Sequence, residues 1–103
     1  MIKLSARLAR SGNRLWHWCP ACASLHAYVI EAPEGPVWTW NGDAERPTLA
    51  PSMLCFHPLP GGHRRTLCHY FLTDGQLQFC GDSPHALAGK TVPLPDLPDW
   101  VTS

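Results

Sequence analysis

A chain of 103 residues has room for one domain, residues 1–103, and is too short for two independent cores. Eight basic residues balance eight acidic ones at a formal net charge of zero, which argues against nucleic acid as a partner, because that grip needs a basic surface to displace counterions. An apolar share of 45% with five Trp excludes disorder, while eleven Pro and eight Gly disfavour long helices, and no apolar run approaches the roughly 18 residues of a membrane span.

The first segment carries Lys3, Arg7, Arg10 and Arg14 with no acid before Glu31, a composition shared with transit peptides. Its pattern differs from theirs. Ile2, Leu4, Ala6 and Leu8 alternate with Lys3, Ser5 and Arg7, the period of a half-buried strand over 2–8. No secretory signal precedes it, so the expected address is the cytoplasm.

Further strand-like runs follow at 15–18, 26–30, 37–40, 51–56, 66–73 and 76–80, most of them rich in aromatic and β-branched residues. Residues 57–65 and the proline-rich tail from Pro93 read as surface segments, the tail lying over the core with Trp100 as its anchor. Thr73-Asp74-Gly75-Gln76 predicts a two-residue type I′ hairpin, since Asp-Gly accepts the positive φ angles of that turn. The turn sets a register in which Leu72 faces Leu77, Tyr70 faces Phe79 and Cys68 faces Gly81 on one side. Phe71 with Gln78 and His69 with Cys80 fall on the other. Cys68 and His69, although adjacent, therefore point in opposite directions. Beyond the hairpin, Ser83 as N-cap, Pro84 at the first helical position and Gly89 past the end outline one short helix near residues 84–88. The fold class expected is mainly β (β-rich α+β), a compact antiparallel sheet with a metal knuckle and that helix.

Five Cys cannot all pair internally, and in a cytosolic chain reduced thiols serve metal or redox chemistry. Cys19-Pro20-Ala21-Cys22 follows a strand, and its spacing lets two thiolates hold one ion from the same side. Thioredoxin-like redox chemistry uses the same spacing at the start of a long helix, which is missing here. Zinc (Zn2+) is the expected cofactor. It also makes energetic sense, because a core this small supplies roughly 3–5 kcal/mol while structural zinc contributes roughly 10–16 kcal/mol in finger peptides. Candidates for the remaining ligands are Cys68, His69, Cys80, His85 and His26, with Cys68 and His85 best placed to converge on the knuckle. Cys80 also reads as an ordinary buried thiol, and His17, His57 and His63 as exposed or locally satisfied.

Together these motifs have a family likeness. His17-Trp18-Cys19-Pro20-Ala21-Cys22 with His26, Trp38-Thr39-Trp40-Asn41-Gly42-Asp43, Arg46-Pro47-Thr48 with Pro51-Ser52, Cys68-His69, Asp74-Gly75, Phe79 and His85-Ala86-Leu87-Ala88-Gly89 occur in order. The chain resembles a family of small zinc-binding phage and prophage proteins related to the E component of bacterial ubiquitination-like (Bub) operons. The resemblance implies zinc binding and peptidase activity on a ubiquitin-like protein. The sequence departs from that pattern at Asp82-Ser83-Pro84-His85, where the family reads Asp-Cys-x-His.

In residue terms, a serine-type hydrolase would use Ser52, held by the Pro-rich run before it, as nucleophile and His69 as base. Asp74 or Asp82 would orient the imidazole. Trp40, Asn41 and Gly42 are the expected substrate-binding residues, with Asn41-Gly42 offering amides to an oxyanion. A zinc ion with an open position acting as Lewis acid is a second catalytic version. The contrasting function is a non-enzymatic zinc module of phage origin that binds a host or virion protein through Trp16, Trp18, Trp38 and Trp40. Hydrogen-bond reach between Ser52 and His69, beside a cleft, separates the two.

Overall fold

Asp74 and Gly75 adopt φ angles of 49° and 73°, the left-handed geometry that a two-residue hairpin of matching twist demands. In the computed structural model, which describes residues 1–102, this turn joins β7 (Arg64–Thr73) to β8 (Gln76–Phe79). The pairing Tyr70↔Phe79, Phe71↔Gln78, Leu72↔Leu77 and Thr73↔Gln76 is the register the turn predicts. A side chain at position 75 would meet the Arg46 Cα at 3.3 Å, a second reason for glycine there.

Around that hairpin the chain builds two antiparallel sheets rather than one. The first joins β1 (Ile2–Lys3), β2 (Ala9–Ser11), β3 (Arg14–Cys19) and β4 (Ser24–Val29). The second runs from β5 (Thr39–Trp40) through β6 (Leu49–Pro58), β7 and β8 to β9 (Thr91–Pro93). Their facing sides share one core, with Leu15, Cys19 and Tyr28 from the first sheet and Leu49, Met53, Cys68, Tyr70, Leu72, Leu77 and Phe79 from the second. No helix among the described residues is long and apolar enough to cross a membrane.

Several expectations are corrected. The strand over 2–8 stops at Lys3, because the Ser5 hydroxyl accepts from the Arg7 and Leu8 amides and folds the segment into a turn. Strands take the two ends of the exposed 57–65 segment, with β6 reaching Pro58 and β7 starting at Arg64, and leave 59–63 as the connection. No helix forms at 84–88. Ser83 does not cap there; its hydroxyl is bound to the His69 backbone instead. The segment closes by two short turns, Ala88 N–H to His85 O and Lys90 N–H to Leu87 O, and five residues are too few to repay helix nucleation. The tail does lie over the protein, but Leu94, Leu97 and Val101 anchor it while Trp100 is 68% exposed.

His17, expected to be exposed or locally satisfied, is fully buried between the sheets. Its Nδ1–H donates to Trp18 O at 3.2 Å, and Nε2 accepts from the Tyr70 hydroxyl at 2.7 Å. His26 Nδ1 lies 3.0 Å from the same hydroxyl, so His26 serves this network rather than the cysteines of the knuckle. Burial, reinforced by His26, lowers the His17 pKa to about 3. Above pH 6.5 both folded and unfolded states hold His17 neutral. As pH falls below that value only the unfolded state takes up a proton, so stability drops. At pH 5 the expected loss is about 2 kcal/mol. Urea unfolding at pH 7.5 and pH 5 should show His17→Gln losing less stability than wild type by about that amount; equal pH slopes would refute the assignment.

Candidate active site and thiol cluster

Strand alternation along β7 sends Cys68, Tyr70 and Leu72 into the core and turns His69 and Phe71 outward. On the neighbouring strand, Leu49 pairs with Leu72 and Met53 with Tyr70, so residues 50–52 of β6 stand opposite Phe71 alone. This is a β-bulge, a device that re-aims side chains and often borders active sites. Pro51 suits it because a bulged position need not donate a ladder bond. The bulge leaves Met53 inward and presents Ser52 on the outer face beside His69. Trp38 Nε1–H donates to Ser52 O at 3.3 Å and ties the bulge to the segment before β5.

Three side chains then line up. Ser52 Oγ lies 3.1 Å from His69 Nε2, and His69 Nδ1 lies 3.0 and 3.1 Å from the two carboxylate oxygens of Asp82. Of the two candidate orienting acids, Asp82 is the one in place, while Asp74 occupies the hairpin tip. The buried Ser83 hydroxyl accepts from His69 N–H at 3.0 Å and donates to His69 O at 2.9 Å. That clamp fixes the loop carrying Asp82 against the strand carrying the imidazole. With Nδ1–H directed at a carboxylate, Nε2 is left free to accept a proton from Ser52.

The residues expected to bind substrate have structural partners of their own. Trp40 pairs with Leu49 and packs its indole on the core. The Asn41 amide donates to Thr48 O, and its side chain bridges Arg46 O with the Asp43 and Thr48 amides. Asn41 and Gly42 thus belong to a loop closed on itself, and the Asn41 amide is spent. Among the described residues no enclosed cavity adjoins Ser52. The expected cleft is an open sheet face, flanked by Leu54 opposite His69 and by Leu67 and Phe71, which are 41% and 45% exposed. Trp38 and Ser83 stand in recognisable motifs, but their support of Ser52 and His69 is a tertiary contact that spacing does not encode.

The inward side of β7 holds different chemistry. Cys19 ends β3, and the knuckle returns through Ala23 at φ 50° so that Cys19 pairs with Ser24. Its thiol, that of Cys22 and that of Cys68 all lie within 4.8 Å of one another and can hold a metal ion. Hydrogen bonding from Cys68, with the Ala21 and Cys22 amides adding to it, pulls the Cys19 pKa down to about 6. Cys68 is pushed up, first because its proton is committed to Cys19, and Cys22 is raised chiefly by burial. Three packed thiols can release their protons together only if a cation compensates, and the donor set fits a thiophilic one. His85 Nε2 stands 3.3 Å from Cys68 Sγ, and the His85 ring meets Phe79 edge-on.

Cys80 is not the buried thiol expected. It is partly exposed on the outer face, where its amide donates to His69 O and its sulfur groups with His69 and Asp82. Of the four indoles considered for an interaction surface, Trp38 and Trp40 pack on the main core and Trp16 on the smaller cluster of Ala9, Leu97 and Val101.

These features define a β-rich protein with a serine–histidine–aspartate constellation on one face of a strand and a metal-competent thiol cluster on the other. The chain belongs to the family described as bacterial ubiquitination-like system serine protease (BubE), whose model matches residues 3–80. Ser52, His69 and the three clustered cysteines fall inside the match; Asp82 and His85 lie beyond it. The chain has no significant match among curated proteins or among solved structures.

Proposed function

We propose that this protein is a zinc-stabilised serine peptidase that cleaves a protein substrate, with a ubiquitin-like protein the favoured one. The observation that carries the proposal is the continuous Ser52–His69–Asp82 chain of contacts at 3.1 and 3.0 Å. In the proposed reaction the Ser52 hydroxyl attacks a substrate carbonyl while His69 Nε2 takes its proton. Asp82 keeps the other ring proton on Nδ1 and stabilises the imidazolium that forms. His69 then protonates the leaving amine, and water releases the acyl group from Ser52 by the same steps in reverse order. The open, apolar-flanked face favours an extended polypeptide over a small molecule, and the family's ubiquitination-like context favours a protein of that pathway.

Cys19, Cys22 and Cys68 are the proposed zinc ligands, with His85 as the fourth. Three thiolates favour zinc over harder cations and mark a closed, structural site. Ligation through His85 Nε2 requires the ring proton on Nδ1, so it would exchange the present contact between Leu87 N–H and Nδ1 at 3.2 Å for the metal bond.

A fluorophosphonate probe, which reports an activated serine, tests the catalytic assignment. Wild type is expected to carry one phosphonyl adduct on the Ser52 peptide by mass spectrometry, and His69→Ala to carry almost none. A folded protein that stays unlabelled, or is labelled at another serine, would overturn it.

A further inference from the structure

Catalysis through His69 leaves one neighbour without a task. Cys80 stands beside His69 across the hairpin, joined by the bond from its amide to His69 O at 2.9 Å. The hairpin register puts both side chains on the outer face. His69 Nδ1, Cys80 Sγ and an Asp82 carboxylate oxygen all lie within 4.8 Å of one another. A tetrahedral zinc site with Zn–N of about 2.05 Å and Zn–S of about 2.3 Å spaces its nitrogen and sulfur about 3.6 Å apart. Small rotations of exposed groups reach that spacing, and two of the donors, Nδ1 and Oδ1, already stand 3.0 Å apart. The group is open to solvent, the side chains of His69 and Asp82 being 26% and 59% exposed. It is separate from the cluster of Cys19, Cys22 and Cys68, which faces the opposite side of β7.

We propose that His69, Cys80 and Asp82 form a second site for a thiophilic divalent cation such as zinc, and that filling it switches the peptidase off. The inhibitory half rests on the catalytic role given to Ser52 and His69 above; the binding half does not. Binding releases the Cys80 thiol proton to solvent and places the cation on His69 Nδ1 and the Asp82 carboxylate. A neutral imidazole has one ring proton, so with Nδ1 ligated that proton sits on Nε2. Nε2 then donates to Ser52 Oγ and can no longer accept from it. The same cation also takes the carboxylate that would stabilise an imidazolium. Two of its ligands are thus groups the reaction needs, and the third, Cys80, serves only the cation. Three protein donors leave a fourth position for water, which makes the site weaker and more reversible than the closed cluster.

The test uses the full chain already loaded with one structural zinc, titrated with Zn2+ alone against a chromophoric chelator. Wild type is expected to bind one further equivalent. Cys80→Ala, and Cys80→Ser as a variant closer in size, are expected to bind it at least about 10-fold more weakly, since losing a direct ligand costs no less than losing an outer-shell partner. Without added zinc both variants should turn over substrate, and react with a fluorophosphonate, as wild type does. With the second site filled, wild type should lose at least about 90% of both while the variants keep theirs, and a chelator too weak to strip the first zinc should restore wild type. No second equivalent, or one that both variants bind equally well, overturns the site. A Cys80-dependent second equivalent that leaves activity and labelling intact overturns the switch. If zinc binds in this way but no Ser52 reactivity exists even without it, the peptidase assignment fails while the metal site stands.

Discussion

Ser52→Ala and His69→Ala should each abolish measurable turnover of a ubiquitin-like substrate, a loss of roughly 10⁴- to 10⁶-fold, and the double variant should be no worse than either alone. Groups that act as one unit are lost as one unit. Two residues that merely help binding would instead show multiplying effects. Asp82→Asn should be milder. A buried orienting aspartate is worth about 10⁴ in kcat, but the Asp82 side chain is 59% exposed, and exposed ion pairs contribute about 1 kcal/mol or less. The outcome should lie between those limits, at about 10²-fold, and should fall on kcat rather than KM because the carboxylate acts on the imidazolium of the transition state. The three single variants should keep the metal of the Cys19–Cys22–Cys68 cluster and the melting temperature of wild type, since none of these side chains enters the core or that cluster. Additive losses, or an Asp82 variant as inactive as Ser52→Ala, would contradict the proposed division of roles.

Much of this site was legible in the sequence through one short turn. Asp74-Gly75 determines the hairpin register, and alternation from that turn sends Cys68 inward, His69 outward and Cys80 alongside His69. Those placements decide which residues join the buried thiol cluster and which stand on the open face beside Ser52. What pattern could not supply was tertiary. The bulge at residues 50–52 presents Ser52 beside His69, yet a bulge leaves no periodic mark. Pattern gives Asp74 and Asp82 equal standing as partners of His69; the path of the loop after β8, held by Ser83, brings Asp82 to the imidazole. There a serine in cap position found a better partner in the backbone of β7 than in a helix too short to nucleate.

On β3, hydrophobic weight does not mark the buried face. Trp16 and Trp18 outweigh Leu15, His17 and Cys19 in apolar surface, so hydrophobicity alone favours the indole face as the core. The structure buries the other face, placing Cys19 against Cys68 and His17 against Tyr70. The small second core then forms where the tail, through Leu97 and Val101, packs with Trp16 and Ala9. A histidine is tolerated on the buried face because both its ring nitrogens find partners, and the pH dependence expected of His17 is the energetic signature of that choice.

Removing the metal should have the largest effect on the fold itself. Cys19 ends a strand of the first sheet, Cys22 lies in the turn that follows it, and Cys68 belongs to the second sheet, so the proposed zinc would tie the two sheets together. A small core of this kind supplies roughly 3–5 kcal/mol, whereas structural zinc contributes an apparent 10–16 kcal/mol in finger peptides. Even a fraction of that exceeds the margin. Chelation with a strong ligand, or Cys19→Ser, is therefore expected to produce a cooperative loss of near-ultraviolet circular dichroism at 25 °C, together with the bound zinc. His85→Ala should lower zinc affinity while leaving a folded protein at saturating metal, because three thiolates remain. Activity should follow the fold. Cys68 and His69 are consecutive on β7, so the strand that the proposed zinc would fix from inside is the strand that carries the His69 imidazole on its outer face. A chelated protein that stayed folded and active would show that packing alone holds β7 in register, and would leave the cysteines without a structural role.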